Sequence, residues 1–324
     1  MAVYTEVSFD EAAALAASVG LGELVALVPC AGGIENTNYF ADTANGRYVL
    51  TLFERLTADE LPFYLALMEH HAEHGLPVPR PYGGADGSLV LALNGKPAAI
   101  VDRLPGAHHL APDAADCAAV GAVLARMHLA ARDFALSQPN LRGLAWWEET
   151  VPVVLPHLDA ERAALMADEL AYQRHLASSS AYATLPRCAI HGDLFRDNVM
   201  FVDGTLAGVF DFYFAGVDTL LFDVAVAIND WCIDLDSGRL DEDRAGALVA
   251  AYEALRPLAH AEVRLLPALL RAAAFRFWLS RAWDLHLPRD AVVLTAHDPA
   301  HFERILVQRR DEPWHPPPRP QPSP

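Results

Sequence analysis

The sequence predicts an α+β protein, a small β-rich N-terminal lobe followed by a larger helical C-terminal lobe. Three features carry this expectation: β-branched and aromatic runs flanking Asn45-Gly46, a shift to Ala/Leu-rich helical periodicity after Pro105 and Gly106, and a brief β insertion near His191 that interrupts the helices. At 324 residues, 53% of them hydrophobic and 20% charged, the chain is long for a single core and reads as a globular protein of two domains. The boundaries fall at 1–104 and 105–310, and the Pro-rich tail 311–324 is expected to be disordered for want of core-forming residues.

From residue 10 to about 28, an Ala/Leu-rich stretch behind Asp10 and Glu11 predicts a short helix interrupted by Gly20 and Gly22. Strands are expected at 36–42 and 47–54, because Asn45-Gly46 between two apolar, β-branched and aromatic runs is a strong short-range hairpin signal. A helix follows, with an acidic first turn near Thr57 to Glu60 and Gly75 as its stop. LPVPRPYG is a proline-punctuated connection, after which SLVLAL and KPAAIVDRL read as strands joined through Asn94-Gly95. Pro105 and Gly106 break the last strand. The segments AADCAAVGAVLARMHLAARDF and ERAALMADELAYQRHLASSSAYATL have apolar residues at three- and four-residue spacing and are therefore helices. RCAIHGD, NVMFVDG and TLAGVFDFYF form the β insertion, and from residue 222 almost to 310 the chain is helical.

The net charge of −18 argues against nucleic acid and anionic membrane surfaces, which recruit clustered Lys and Arg. The N-terminal residues carry Glu6, Asp10 and Glu11 and lack the basic and apolar regions of a signal peptide. AFRFWLSRAW is interrupted by Arg276 and Arg281, short of the roughly 20 apolar residues of a membrane span. Cys30, Cys117, Cys188 and Cys232 show no paired spacing, so reduced thiols and a cytoplasmic location are expected. The composition leaves monomer and homodimer both open.

The polar loop HGDLFRDNVMF concentrates the chemistry. His191-x-Asp193-x4-Asn198, followed thirteen residues later by Asp211, has the spacing of a kinase catalytic loop and its metal-binding segment. Phosphoryl transfer needs a carboxylate to accept or orient a hydroxyl proton, and oxygen ligands to hold Mg2+ against the phosphates of ATP. Asp193 is thus the base, Asn198 and Asp211 the metal ligands, and His191 a structural brace of the loop. Asp218 and Asp223 either tether that loop or cap the next helix. HHAEH, His70 to His74, formally matches a zinc-protease pattern, but a solvated helix face accounts for it.

His191, Gly192, Asp193, Asn198, Asp211 and Phe212 together resemble the aminoglycoside phosphotransferase and choline kinase-like family. Within it, GGIENTNYFADT, YVLTLFE, DVAVAINDWC, FRFWLSRAWDLHLPR and HDPAHFERIL are similar to the homoserine kinases, over about residues 1–310. The resemblance implies a two-lobed protein kinase-like fold with ATP and Mg2+ bound between an N-terminal nucleotide-binding lobe and a C-terminal catalytic and substrate-binding lobe. It implies L-homoserine as the acceptor, converted to O-phospho-L-homoserine in threonine biosynthesis; another small hydroxylated amine such as choline, ethanolamine or an aminoglycoside is the alternative. Gly32, Gly33, Asn36, Thr37 and Asn38 would contact the nucleotide, together with Thr51 and Arg103. Thr51 stands where such folds place a phosphate-binding lysine, and Arg47, Arg55 and Lys96 are the candidate substitutes. Asn229, Asp230, Arg276 and Arg281 are the candidates for binding the acceptor.

Overall fold

The structure, a computed structural model, describes residues 5–30, 36–287 and 297–317. Its contacts divide the chain into two units, Met1–Gly106 with Phe134–Leu136 and Ala207–Tyr213, and Ala107–Asp133 with Ser137–Leu206 and Phe214–Pro324. The division after Gly106 lies two residues beyond the expected boundary. The return of 207–213 to the first unit is a correction, since it assigns Asp211 to the N-terminal unit and not to the span 105–310.

In the first unit, helix α1 (Phe9–Ser18) opens on a capping box between Ser8 and Glu11. The chain then turns at Gly20 and Gly22, both at positive φ, and enters strand β1 (Leu24–Pro29). The helix expected to about residue 28 therefore ends ten residues earlier. Leu24–Pro29 gains a ladder by pairing with β2 (Thr37–Thr43), a partner local periodicity does not reveal. β3 (Arg47–Leu52) completes the hairpin, and α2 (Pro62–Glu73) begins later than expected because Thr57 to Glu60 form a separate hydrogen-bonded turn. β4 (Pro81–Tyr82), β5 (Leu91–Leu93) and β6 (Lys96–Asp102) finish an antiparallel sheet of order β1-β2-β3-β6-β4, with β5 on β6. Alternation puts Tyr39, Ala41, Tyr48, Leu50, Leu52, Ala98 and Ile100 on the face covered by Ala12 and Ala16 of α1. Asn38, Phe40, Val49, Thr51 and Arg103 therefore fall on the opposite face.

The second unit begins with α3 (Ala114–Ala130) and α4 (Leu144–Val154), the latter absent from the sequence expectation. Ala114–Asp133 is long and apolar enough, by length and composition, to cross a membrane, contrary to the expected absence of such a stretch. In this fold its Cys117, Val120, Val123, Leu124 and Met127 are buried in protein. α5 (Ala160–Ala177) and α6 (Ser180–Ala183) lead to β7 (Arg187–Ile190), and β8 (Val199–Val202) is joined to β9 (Thr205–Val209) through Asp203 and Gly204. β10 (Gly216–Thr219) pairs antiparallel with β7, Gly216 opposite Ile190 and Thr219 opposite Arg187.

α7 (Leu220–Trp231) is buried along all twelve residues, its apolar side chains in the core and its Asp223, Asn229 and Asp230 each hydrogen-bonded. Against it pack α8 (Glu242–Leu255) and α9 (His260–His286), and α10 (Ala300–Asp311) packs on α9 and reaches α7 through Arg309. Gly121 of α3 allows a close crossing with α8, since a Cβ there would lie 2.1 Å from the carbonyl oxygen of Leu248. Packing continues past Asp311: Trp314 is buried, so the segment 311–317 is not the unpacked tail expected, and 318–324 lie outside the described residues.

Candidate active site

β7 delivers the chain into the loop His191–Asn198, and three contacts set its shape. Gly192 sits at φ +76° with a Cβ position only 2.8 Å from the carbonyl oxygen of Phe214, so a side chain is excluded there. The backbone N–H of His191 donates to Asp223 Oδ2 and that of Gly192 to Asp223 Oδ1, both at 2.8 Å. A single turn of 3-10 helix, Arg196–Asn198, closes the loop. Of the two expected roles for Asp223, tethering is the one observed. Thr219 caps α7 instead, its hydroxyl accepting from the N–H of Phe222, and Asp218 engages Asn140, Arg187 and the N–H of Thr219.

Asp223 has no exposed surface. Burial opposes its charge, but the His128 contact at 3.1 Å, His191 and the Gly192 N–H outweigh that and hold its carboxyl below the usual carboxylate range. His128 in turn is fixed by the hydroxyl of Tyr252 at 2.7 Å. The acid thus anchors the catalytic loop to α7 and, through His128, to α3 and α8.

Asp193 lies within this frame. Asn198 Nδ2 donates to the Asp193 carbonyl at 2.8 Å and approaches its Oδ2 at 3.3 Å. With its nitrogen so committed, the amide of Asn198 turns its oxygen away as an acceptor, the end a hard cation takes. His191 is buried, and its Nδ1 accepts from the N–H of Asp193 at 3.2 Å, a bracing contact. The Asp193 carboxylate faces the guanidinium of Arg276 at 3.7 Å.

The structure redistributes the four acceptor-binding candidates. Asn229 is fully buried, donates to the carbonyl of Leu270 and accepts from Arg309 Nε; it joins α7 to α9 and α10 and is removed from the acceptor set. Asp230 holds the catalytic loop: its Oδ2 accepts from the N–H of Arg196 at 2.8 Å and from Nε at 3.1 Å, while Arg196 also donates to the carbonyls of Leu110 and Asp230. Burial pushes the Asp230 carboxyl up despite Arg196. Arg281 donates to the carbonyl of Asp298 and lies 4.6 Å over the ring of Phe302, fastening α9 to the start of α10. Arg276 faces Asp193 itself, and burial lowers its pKa to about 10. Arg196 and the Trp231 indole, which donates to the carbonyl of Leu194 at 3.0 Å, were not anticipated from sequence. Their partners are more than thirty residues away, and only Arg196's place inside the motif was a signal.

In the N-terminal unit, Asp211 lies at φ +66°, an uncommon conformation for a residue with a side chain. The residues after it hold it there: Phe212 is buried against His71, and Tyr213 packs edge-on to Phe53 and Tyr64. His74, at the C-cap of α2, directs Nδ1 at the carbonyl of His70 in its last turn.

Thr51 donates to Asn38 Oδ1 at 2.7 Å across the β2–β3 pair, so a polar bridge occupies the position of the usual lysine. Thr37 departs from expectation: it is fully buried on the α1 side of the sheet, donating to Glu54 Oε1 at 2.7 Å, and supports the sheet instead of a nucleotide. Lys96 pairs with Glu54 at 3.2 Å. Arg103 lies 3.7 Å over the ring of Phe40 and 3.8 Å from Asp42. Asn36 leads into β2, Arg47 and Arg55 are exposed, and Gly32 and Gly33 lie outside the described residues.

A braced Asp-Asn loop, a strained Asp-Phe segment and an antiparallel five-stranded path with one added strand define a protein kinase-like phosphotransferase. The chain belongs to the phosphotransferase enzyme family, whose profile matches residues 26–258. It is 62% identical to homoserine kinase of Polaromonas naphthalenivorans (strain CJ2) over 97% of this chain and 99% of that one. It is 53% identical to homoserine kinase of Janthinobacterium sp. (strain Marseille), over 96% and 97%. Among solved structures it superimposes on amicoumacin kinase hAmiN, in complex with AMP-PNP, Ca2+ and Ami, with a TM-score of 0.68 at 16% identity over 94% of each chain.

Proposed function

We propose that this chain transfers the γ-phosphoryl group of ATP to the hydroxyl of L-homoserine, yielding ADP and O-phospho-L-homoserine, a step of threonine biosynthesis. The observation that carries the acceptor is the near full-length identity to homoserine kinases. Asp193 takes the hydroxyl proton as the acceptor oxygen bonds to the γ-phosphorus and the bond to the ADP oxygen breaks. The guanidinium of Arg276 lies 3.7 Å from the Asp193 carboxylate. Asn198 supports that orientation through its amide nitrogen.

Asn198 and Asp211 suit magnesium by donor chemistry, an amide oxygen and a carboxylate, and their assignment as its ligands rests on that and on their spacing. When bound, the ion would offset phosphate charge that Thr51 does not. We further propose a cytoplasmic enzyme, which the four free cysteines support.

The test is Mg2+-dependent ADP release from ATP with L-homoserine beside L-serine, choline, ethanolamine and kanamycin. Turnover concentrated on homoserine is expected. Preference for another acceptor would retain the phosphotransferase class and overturn the substrate.

A further inference from the structure

Arg142 and Arg276 come from distant parts of the second unit and converge on one ring. The Cζ of Arg276 lies 4.8 Å and that of Arg142 6.0 Å from the centroid of Phe214. Arg276 is also stacked 3.7 Å from the ring centre of Phe277 and is 3% exposed. Among the described residues it donates no hydrogen bond; Asp193 lies 3.7 Å from it, and Asp284 also acts on its charge. Rings on its faces direct what remains of its recognition capacity into its plane, where N–H groups match a planar two-oxygen acceptor.

Arg142 is equally prepared. Its own N–H donates to Asn140 Oδ1, its carbonyl accepts from the Trp147 indole at 2.6 Å, and its guanidinium lies 4.6 Å over Trp146. Asn140 is tied to Asp218 at 2.9 Å, and the segment sits against Gly216, where a Cβ would come within 2.8 Å of the Asn140 backbone. The two guanidinium groups are thus held on rigid supports, close enough to oppose each other's charge, with Asp193 and Asp284 offsetting part of it at Arg276. A carboxylate placed between them would add to that offset.

We propose that Arg142 and Arg276, flanking Phe214 beside Asp193, form the receptor for the carboxylate of the acceptor and so select a hydroxy-amino acid over an amino alcohol. This rests on homoserine being the acceptor. A carboxylate held there and a hydroxyl at Asp193 would lie at opposite ends of one short molecule, so the receptor also measures the chain between them. The transferring phosphoryl group is the competing anion, and the planar, ring-sandwiched guanidinium of Arg276 favours the carboxylate.

The test compares L-homoserine with 3-aminopropan-1-ol, which keeps the hydroxyl and amine and lacks the carboxylate, in wild type, Arg142→Met and Arg276→Lys. Arg142→Met is expected to lower kcat/KM for homoserine roughly 100-fold, mainly through KM, and to shrink the ratio of homoserine to amino-alcohol kcat/KM by at least about tenfold. Arg276→Lys keeps the charge beside Asp193 and loses the fork, and is expected to reduce the same discrimination. Thermal melting of each variant checks folding. An equal loss on both acceptors, or an unchanged ratio in both variants, overturns the receptor while the kinase assignment stands. A wild type that prefers the amino alcohol overturns the proposed acceptor and the receptor together.

Discussion

Asp223 and Gly192 are joined by a 2.8 Å hydrogen bond that runs from the catalytic loop to a helix thirty-one residues further along the chain. The same carboxylate takes the N–H of His191, so one buried charge sets two successive peptide units of the loop. A carboxylate with a depressed folded pKa stabilises the protein above its unfolded value, about pH 3.9, and that contribution disappears as pH falls through the lower folded value. Asp223→Asn is therefore expected to cost about 3–5 kcal/mol at neutral pH, with the gap to wild type closing below about pH 4. Urea denaturation at the two pH values measures it, and a gap independent of pH would sink the account.

Asp193→Asn removes the carboxylate proposed as the base and keeps a side chain of the same shape. Turnover is expected to fall by roughly two to four orders of magnitude. Affinity for Mg·ATP, measured by calorimetry, should be essentially unchanged. A variant with near wild-type turnover would remove Asp193 from the chemistry.

Thr51→Val deletes the donor to Asn38 Oδ1 and leaves the side-chain shape nearly intact. A loss of about 1 kcal/mol in stability is expected, together with a rise in KM for ATP and none for the acceptor. Steady-state kinetics with each substrate varied in turn separate the two. An effect confined to stability would mean that the Thr51–Asn38 bridge only knits the sheet.

Gly121→Ala tests the crossing of α3 with α8. The added methyl would overlap the carbonyl of Leu248, which belongs to a helix and cannot retreat alone. A destabilisation of about 3 kcal/mol, or roughly 5–10 °C in Tm, is expected. Unchanged melting would show that the helices separate at little cost.

The elements legible in the sequence are those written in local periodicity and turn chemistry. The hairpin around Asn45-Gly46 forms, but with Asp42 opposite Arg47 across a four-residue connection in which neither Asn45 nor Gly46 takes a positive φ, so the dipeptide marks the turn without setting its type. The long helices α3 and α5 follow their apolar spacing. Elements that depend on remote partners were not legible. Leu24–Pro29 is a strand because β2 is beside it, and Gly216–Thr219 because β7 is, twenty-six residues back from Gly216 to Ile190. The site shows the same division. Asp193, Asn198 and Asp211 are recognisable by spacing, whereas Asn229 and Asp230 carry polar groups whose use depends on what faces them: Leu270 and Arg309 for one, Arg196 for the other.

The sequence by itself determined that this is a phosphotransferase of kinase type, because an aspartate, an amide and a second carboxylate at that spacing match the motif of that class. Only the tertiary structure decided which of the remaining polar residues work with them. It committed Asn229, Asp230 and Arg281 to holding helices and loop together, turned Thr37 to the α1 side of its sheet, and brought Arg142 beside Arg276 at Phe214. The physical reason is that a buried polar group must find a partner, and for most of these that partner lies far away in the chain, at a distance no local pattern encodes.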